Sequence, residues 1–361
     1  MQELIEKIYD VLKDYRADEG SNEVIMSPER IQIWVEQFEE VDREFILKEL
    51  LQIFPKRYCN KKSAKSFLRS VLETLTKDFK YSSVKDFLSN ANFLDLQPEG
   101  KSQKIMLNLL NEVLVEEYQI SDFTNKATQV KHYIYLDDIL CTGNTLINDL
   151  KEWCEQNYSD SKTIKEAITD GTVNLSCVFI FLHVKNYHKK KAEMRHKICE
   201  GISQKHLIYF GLGIQNDNKK EDSALDFLLP LEESQPQIVE EYKNKIKNQV
   251  EKYTQDAYGY VGQDEFFRVE GLPKEEKLFT SLENRARFEN IMLKKGIEIL
   301  NNSNITKKNI RALGFSLPGQ KDFGFGTLCF TWRNIANNAP LVFWYSGGGF
   351  IPLFIKNQTN S

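Results

Sequence analysis

Two adjacent carboxylates, Asp137 and Asp138, close the apolar run HYIYL. Residues 141–145, Cys-Thr-Gly-Asn-Thr, follow shortly, and a helical pattern begins at once. A strand that passes through a tight turn into a helix offers unpaired backbone N–H groups and the positive end of a helix dipole, which suits a phosphate. Thr142, Gly143, Asn144 and Thr145 fit that role. The glycine permits close backbone approach and the threonine hydroxyls add donors. Two carboxylates would repel the same phosphate, so they must face hydroxyls or a metal-bound part of the ligand. A ligand with a phosphate at one end and a pair of sugar hydroxyls at the other satisfies both halves. The alternative is a strand end carrying two solvated acids ahead of an ordinary threonine-capped helix. Cys141 read as a nucleophile has no histidine near it in sequence to activate it.

The stretch YIYLDDILCTGNT, residues 133–145, resembles the 5-phosphoribosyl-1-pyrophosphate loop of the type I phosphoribosyltransferases: apolar residues, two acids, two apolar residues, then small-Thr-Gly-x-Thr. Tyr135 is bulkier than the usual aliphatic, and Cys141 stands where Thr, Ser or Ala is commoner. The resemblance implies that Asp137 and Asp138 take the ribose 2′- and 3′-hydroxyls and are the catalytic pair. It implies equally that Cys141, Thr142, Gly143, Asn144 and Thr145 hold the 5′-phosphate, and that Mg²⁺ accompanies the pyrophosphate with no dedicated protein ligand to the metal.

PEGKSQ, residues 98–103, contains the second half of a P-loop, but Asp95 stands where its first glycine belongs. Within the phosphoribosyltransferase resemblance, Gly100, Lys101 and Ser102 occupy the place of the pyrophosphate loop, with Lys101 as its point charge. A surface loop that happens to carry a lysine is the competing reading. Near the C-terminus, GFGTLCFTWRNIANNAPLVFW resembles the extension of a group of phosphoribosyltransferase-like proteins encoded in prokaryotic anti-phage and conflict loci, some beside retron reverse transcriptases. Gly324, Phe325, Gly326, Trp332, Asn334, Asn337, Asn338, Pro340, Leu341 and Trp344 carry that likeness, with Ala336 where the group commonly has proline. The W-x-x-Q-F at 34–38 extends it toward the N-terminus. Asn334, Asn337, Asn338 and Trp344 then read either as a rigid amide surface for a base edge or as side chains satisfying turn backbone.

The elements that must position these residues follow from periodicity. Residues 1–90 read as a helical region, with Ser27, Pro28 and Glu29 opening a helix whose Ile31, Trp34, Val35 and Phe38 form one apolar stripe. Over 91–235, apolar runs alternate with helical patterns, which argues for an open, mostly parallel α/β sheet; VNLSCVFIFLHV (173–184) and HLIYFGLGI (206–214) read as strands buried on both faces. Residues 236–361 read as an α+β extension whose apolar end must pack on something, the sheet domain being the expected surface. The lysines at 189–191 read as a solvated helix face.

Composition narrows the function. In 361 residues, hydrophobic side chains make up 41%, enough for a sizeable core, and a formal net charge of −4 gives no overall pull toward nucleic acid or anionic membrane. Six cysteines without a CxxC pair and five histidines show no zinc spacing, so free thiols in a reducing cytoplasm are expected. The start lacks signal-peptide character and no apolar stretch has membrane-spanning length. With this composition, the resemblance implies a cytoplasmic phosphoribosyltransferase-like enzyme acting at ribose C1, an effector or accessory of an anti-phage system. The reading from another class is a nucleotide-sensing or scaffolding subunit docked on a partner such as a reverse transcriptase complex.

Overall fold

The computed structural model describes residues 1–19, 25–121, 130–233, 235–257, 264–304 and 307–356. The chain forms two compact units, one of residues 61–214 and one that joins 1–60 to 215–361.

The first of these is built on four parallel strands, Ala91–Phe93, His132–Leu140, Asn174–His183 and Leu207–Ile214, hydrogen-bonded side by side in chain order. Each step between neighbours passes through at least one helix: Ser102–Tyr118, then Asn144–Cys154 and Ile164–Asp170, then Val184–Lys197 and Glu200–Lys205. Strand Asn174–His183 is buried at every position after its first, as a central strand covered on both faces must be. The helix after the acidic pair presents Leu146, Ile147, Leu150 and Trp153 to the core at helical spacing, and Trp153 meets Tyr133 edge-on with ring centroids 4.9 Å apart. The α/β class and the parallel sheet are as the alternation predicts.

Strand Leu207–Ile214 departs from its reading as a buried strand. It is last in the sheet and pairs on one side only, so Leu207, Phe210 and Leu212 are 39%, 44% and 36% exposed. An apolar run alone does not distinguish a central strand from an edge strand.

The expected boundary near residue 90 also falls elsewhere. Helix Lys61–Asp78 buries Ala64, Leu68, Leu72 and Leu75, and its Lys61 and Lys65 pair with Glu112 and Glu116 of helix Ser102–Tyr118. Phe79 and Phe87 pack on His132 of the acidic strand, at 4.0 and 5.7 Å between ring centroids. Residues 61–90 thus belong with the sheet.

The other unit brings the two ends of the chain together. Helix Pro28–Glu36 begins as its sequence predicts, with the Ser27 hydroxyl accepting from the Arg30 N–H. Its Trp34 stacks on Phe343 at 5.8 Å and donates its indole N–H to the Val342 carbonyl at 2.7 Å. Phe54 meets Phe330 and Phe354, the Tyr15 hydroxyl donates to the Ile355 carbonyl, and Tyr58–Cys59 pairs in parallel with Phe330–Thr331. The apolar tail expected to pack on the sheet domain therefore finds its cover in helices 1–60, whose stripe of Trp34, Phe38 and Phe54 needs an apolar partner of its own. Leu341, Val342, Phe343, Leu353 and Phe354 are fully buried there, whereas Trp344 is half-buried and Ile351 is exposed.

The last fifty residues hold less β-structure than expected: two-residue strands Ile310–Arg311, Gly314–Phe315 and Phe330–Thr331, a short helix Leu341–Trp344, and ordered loops. Gly326 shows why the loop is glycine-rich. Its φ is +59° and a Cβ there would lie 2.2 Å from the Leu228 carbonyl oxygen, so only glycine permits that approach.

Candidate functional site

The acidic pair stands two residues before the C-terminal end of strand His132–Leu140, both carboxylates almost wholly buried. Asp137 accepts three hydrogen bonds: from the Ser102 hydroxyl at 2.5 Å, from its neighbour's N–H at Asp138 at 2.9 Å, and from the Gln97 amide at 3.3 Å. Burial and the adjacent Asp138 charge hold its pKa well above the usual carboxylate range, while these donors pull in the opposite direction. A buried, electrostatically frustrated carboxylate next to a second one is suited to receive hydroxyl donors or a cation.

Beyond Leu140 the chain makes the turn Cys141-Thr142-Gly143 and enters helix Asn144–Cys154. Gly143 is the N-cap with φ +72°, a conformation costly for other residues, and no side chain caps the helix. Thr142 and Gly143 are partly exposed and Asn144 and Thr145 exposed. The nearest side-chain acceptor, the Thr142 hydroxyl, is 3.5 Å from the Asn144 N–H, at the limit of a hydrogen bond. The first turn of the helix is thus uncapped and open, with its leading N–H groups directed outward along the axis. Cys141 is buried, and its carbonyl accepts from Asn186 at 2.8 Å.

The loop before helix Ser102–Tyr118 reaches the same strand end. Gly100 has φ +83°, Lys101 is the N-cap with an exposed side chain, and Ser102 begins the helix with its hydroxyl on Asp137. Ser102 is therefore brought together with the acids. Lys104, one turn on, is engaged with Asp95 and Glu99.

Gln97, Asp149 and Gln103, which the sequence reading did not single out, complete the arrangement, and Tyr135 and Lys190 take roles that it did not give them. The Gln97 amide nitrogen lies within hydrogen-bond reach of the Tyr135 hydroxyl (3.0 Å), Asp149 (3.1 Å) and Asp137, three acceptors for its two N–H bonds, while the Tyr135 hydroxyl donates to Asp149 at 2.8 Å. Burial, followed by the charges of Asp137 and Asp149, raises the Tyr135 pKa well above its ordinary value, so it stays a neutral donor. The signal was present in sequence: a tyrosine inside a buried strand needs a partner for its hydroxyl, and Asp149 lies on the adjoining helix. Gln103 holds this loop from below, its side-chain oxygen accepting from the Leu96 and Gln97 N–H groups at 2.7 and 3.0 Å. Lys190 departs from the solvated-face reading of 189–191. It is 9% exposed and lies against the turn, its ammonium on the Asn144 side-chain oxygen at 2.5 Å.

The extension's residues are held by backbone. The Asn338 side chain donates to the Phe315 carbonyl at 2.9 Å, and its own carbonyl accepts from Thr327. The Asn337 carbonyl accepts from the Phe315 N–H and its side chain accepts from Lys356. Asn334 exchanges bonds with Thr331, and the Trp344 indole donates to the Ala339 carbonyl at 2.7 Å. Of these side-chain amides, that of Asn338 fastens a turn and that of Asn337 meets a lysine, while the bonds between Asn334 and Thr331 run through the Asn334 backbone.

A family model, PRTase-CE, matches residues 31–356, a span that includes the strand, the acids, the open turn and the preceding serine loop. The chain belongs to the PRTase-CE family, phosphoribosyltransferases with a C-terminal extension. The match covers both units, so the extension and most of the N-terminal helices are part of the family's pattern and not an appendage of this chain. No curated protein and no solved structure gives a significant match. Among the described residues of this PRTase-CE chain, no group of three or more His, Cys, Asp or Glu side chains forms a metal cage, and no helix is long and apolar enough to cross a membrane.

Proposed function

We propose that this phosphoribosyltransferase-like protein binds 5-phosphoribosyl-1-pyrophosphate, or a related nucleotide, with Mg²⁺ and acts at ribose C1. The observation that carries the reading is the 2.5 Å bond from Ser102 to Asp137, which joins the loop of Gly100 and Lys101 to the acidic strand end just before the open turn. Loops that follow the strands of a parallel sheet gather at one edge, where ligands of such sheets bind. In this reading the turn 141–145 holds the 5′-phosphate through backbone N–H groups, Asp137 and Asp138 accept the ribose hydroxyls, and Lys101 stands toward the pyrophosphate.

The donor set fits Mg²⁺ as a ligand-borne ion. That ion is commonly held by one or two carboxylates together with substrate phosphates and water, and Asp137 and Asp138 are the carboxylates available. When bound it would supply charge neutralisation to the departing pyrophosphate. The protein's own part is positioning and electrostatics: the hydroxyl-accepting acids fix the sugar, Gln97 and Ser102 fix Asp137, and the buried strand end keeps water from the sugar face. We place this activity in a prokaryotic anti-phage system, as the family's C-terminal extension suggests, with a reverse transcriptase complex as the kind of partner to test.

The experiment is incubation of the protein with labelled phosphoribosyl pyrophosphate, Mg²⁺ and a pool of bases and nucleotides. Pyrophosphate release that is lost in Asp138→Asn supports transfer or cleavage at C1. Saturable binding without release supports the nucleotide-sensing subunit, and neither binding nor release refutes both.

A further inference from the structure

Helix Val184–Lys197 grips the turn at both ends. Asn186 donates to the Cys141 carbonyl at 2.8 Å, and one helical turn later Lys190 reaches the Asn144 side-chain oxygen at 2.5 Å. Between these points the lysine stem crosses directly over Gly143: a Cβ on that glycine would stand 2.6 Å from Lys190 Cγ. The lysine is thus built into the turn, although its neighbour Lys189 is exposed.

Its counter-charge is a shared one. The Lys190 ammonium also donates to Glu193 at 2.5 Å, and the same Glu193 pairs with Lys197. Two ammonium groups, the buried one of Lys190 and the exposed one of Lys197, thus share one carboxylate. Asn144 contributes only a neutral amide oxygen. Burying a lysine this far is unfavourable unless anions meet it. Glu193 is such an anion in the ligand-free protein, and a phosphate at the turn would be a second one within the lysine's reach.

We infer that Lys190 is a phosphate-positioning residue of the turn, and that Glu193 is its counter-charge in the ligand-free protein, competing with the phosphate for the ammonium. The inference rests on the phosphoribosyl reading and adds a cationic contact to a phosphate site otherwise made of backbone. It makes the turn selective for the doubly charged terminal phosphate over a sugar without one. It also gives the two substitutions opposite signs. Removing the lysine weakens phosphate binding, whereas removing the negative charge of Glu193 strengthens it.

The test uses the full chain and ribose 5-phosphate, with ribose as the uncharged comparison, titrated calorimetrically in wild type, Lys190→Met, Lys190→Arg and Glu193→Gln. A charge-assisted bond lost to phosphate predicts roughly tenfold weaker ribose 5-phosphate binding in Lys190→Met. Lys190→Arg retains most of the affinity, and Glu193→Gln binds about threefold more tightly, because the ammonium is no longer divided between carboxylate and phosphate. The preference for ribose 5-phosphate over ribose shrinks in Lys190→Met alone. If wild type does not bind ribose 5-phosphate, the phosphoribosyl reading falls and this inference with it. If wild type binds and both Lys190→Met and Glu193→Gln match it, the reading stands and the lysine's role is refuted. A Lys190→Met chain that fails to fold leaves the decision to Glu193→Gln, for which unchanged or weaker binding overturns the inference.

Discussion

Replacing Asp138 by asparagine should stabilise the protein while abolishing its response to ligand. Asp137 is buried with a raised pKa, burial acting first and the Asp138 charge second. A carboxylate whose folded pKa lies above its unfolded value contributes stability that is fully present below the unfolded pKa and is lost as pH rises through the folded one. Successive strand side chains point to opposite faces, so the two charges sit on the order of 6–7 Å apart and at an effective dielectric of about 20 repel by about 2 kcal/mol. Asparagine keeps the shape of Asp138 and removes that repulsion. After allowance for the hydrogen bonds that aspartate makes better than its amide, the expected net gain near about pH 8 is about 1–2 kcal/mol, a rise of about 3–6 °C in the melting temperature of a unit this size. Near about pH 4, where Asp137 is protonated in both proteins, the gain should shrink toward zero. Differential scanning calorimetry of both proteins across this range, with and without phosphoribosyl pyrophosphate and Mg²⁺, reads every part of the argument. Saturation with ligand at about 100 times Kd should stabilise wild type by about 2.7 kcal/mol and leave the variant unmoved. A variant that melts at or below wild type near about pH 8, or gains more in acid than in base, would show that the acids are not in electrostatic opposition.

Three further outcomes follow from other parts of the chain. His132 is enclosed by Phe79, Tyr81 and Phe87, and burial, aided by the Lys131 charge, lowers its pKa to about 4. Its stability contribution is complete above about pH 6.5 and decays as pH falls toward the folded value, so denaturant unfolding should show about 1 kcal/mol lost between about pH 7 and pH 5, after solvent screening, that is missing in His132→Gln. Trp34→Ala should cost about 3–5 kcal/mol in the unit formed by the chain ends, and Trp34→Phe about 1–2 kcal/mol through the unpaired Val342 carbonyl, read from urea midpoints. Gly326→Ala combines an unfavourable positive φ with collision against the Leu228 carbonyl and should cost about 2 kcal/mol or more, with an alanine at Gly100, where nothing lies within 4 Å, costing about 1 kcal/mol as the comparison.

What was legible in the sequence was local. The acids, the turn and the helix stripe at Leu146, Leu150 and Trp153 lie within one strand-turn-helix segment, and such segments carry their own pattern. The serine of the preceding loop was legible because loops after parallel strands converge. What was not legible depended on partners distant in the chain. Lys190 reads as one of three consecutive lysines, and only the register of its helix over Gly143 distinguishes it from its neighbours. The exposure of Phe210 follows from strand order, which an apolar run does not contain. The cover for Phe343 and Phe354 lies about three hundred residues earlier at Trp34 and Phe54, so hydrophobicity announced that the tail must pack but not where. Physically, side-chain periodicity specifies which face is buried and leaves the choice of the burying surface to topology.

The proposed ligand gains its orientation from the sequence of charges along this short segment. Asp137 and Asp138 put negative charge before the turn, the uncapped helix end and its dipole put partial positive charge at the turn, and Lys190 adds a full positive charge beside Asn144. A symmetric anion such as pyrophosphate would be repelled at one end of that gradient and attracted at the other. A molecule with hydroxyls at one end and a phosphate at the other is favoured at both, and only in one direction. Asp137 is held in the ligand-free protein by its three donors, and in the proposed reading a bound sugar adds further hydroxyl donors to the pair. In this reading the frustration of Asp137 is a stability cost held in the ligand-free protein and relieved on binding. The protein is then expected to be least stable at neutral to alkaline pH without ligand and to gain most from ligand under the same conditions, a coupling that the calorimetric series at Asp138 measures directly.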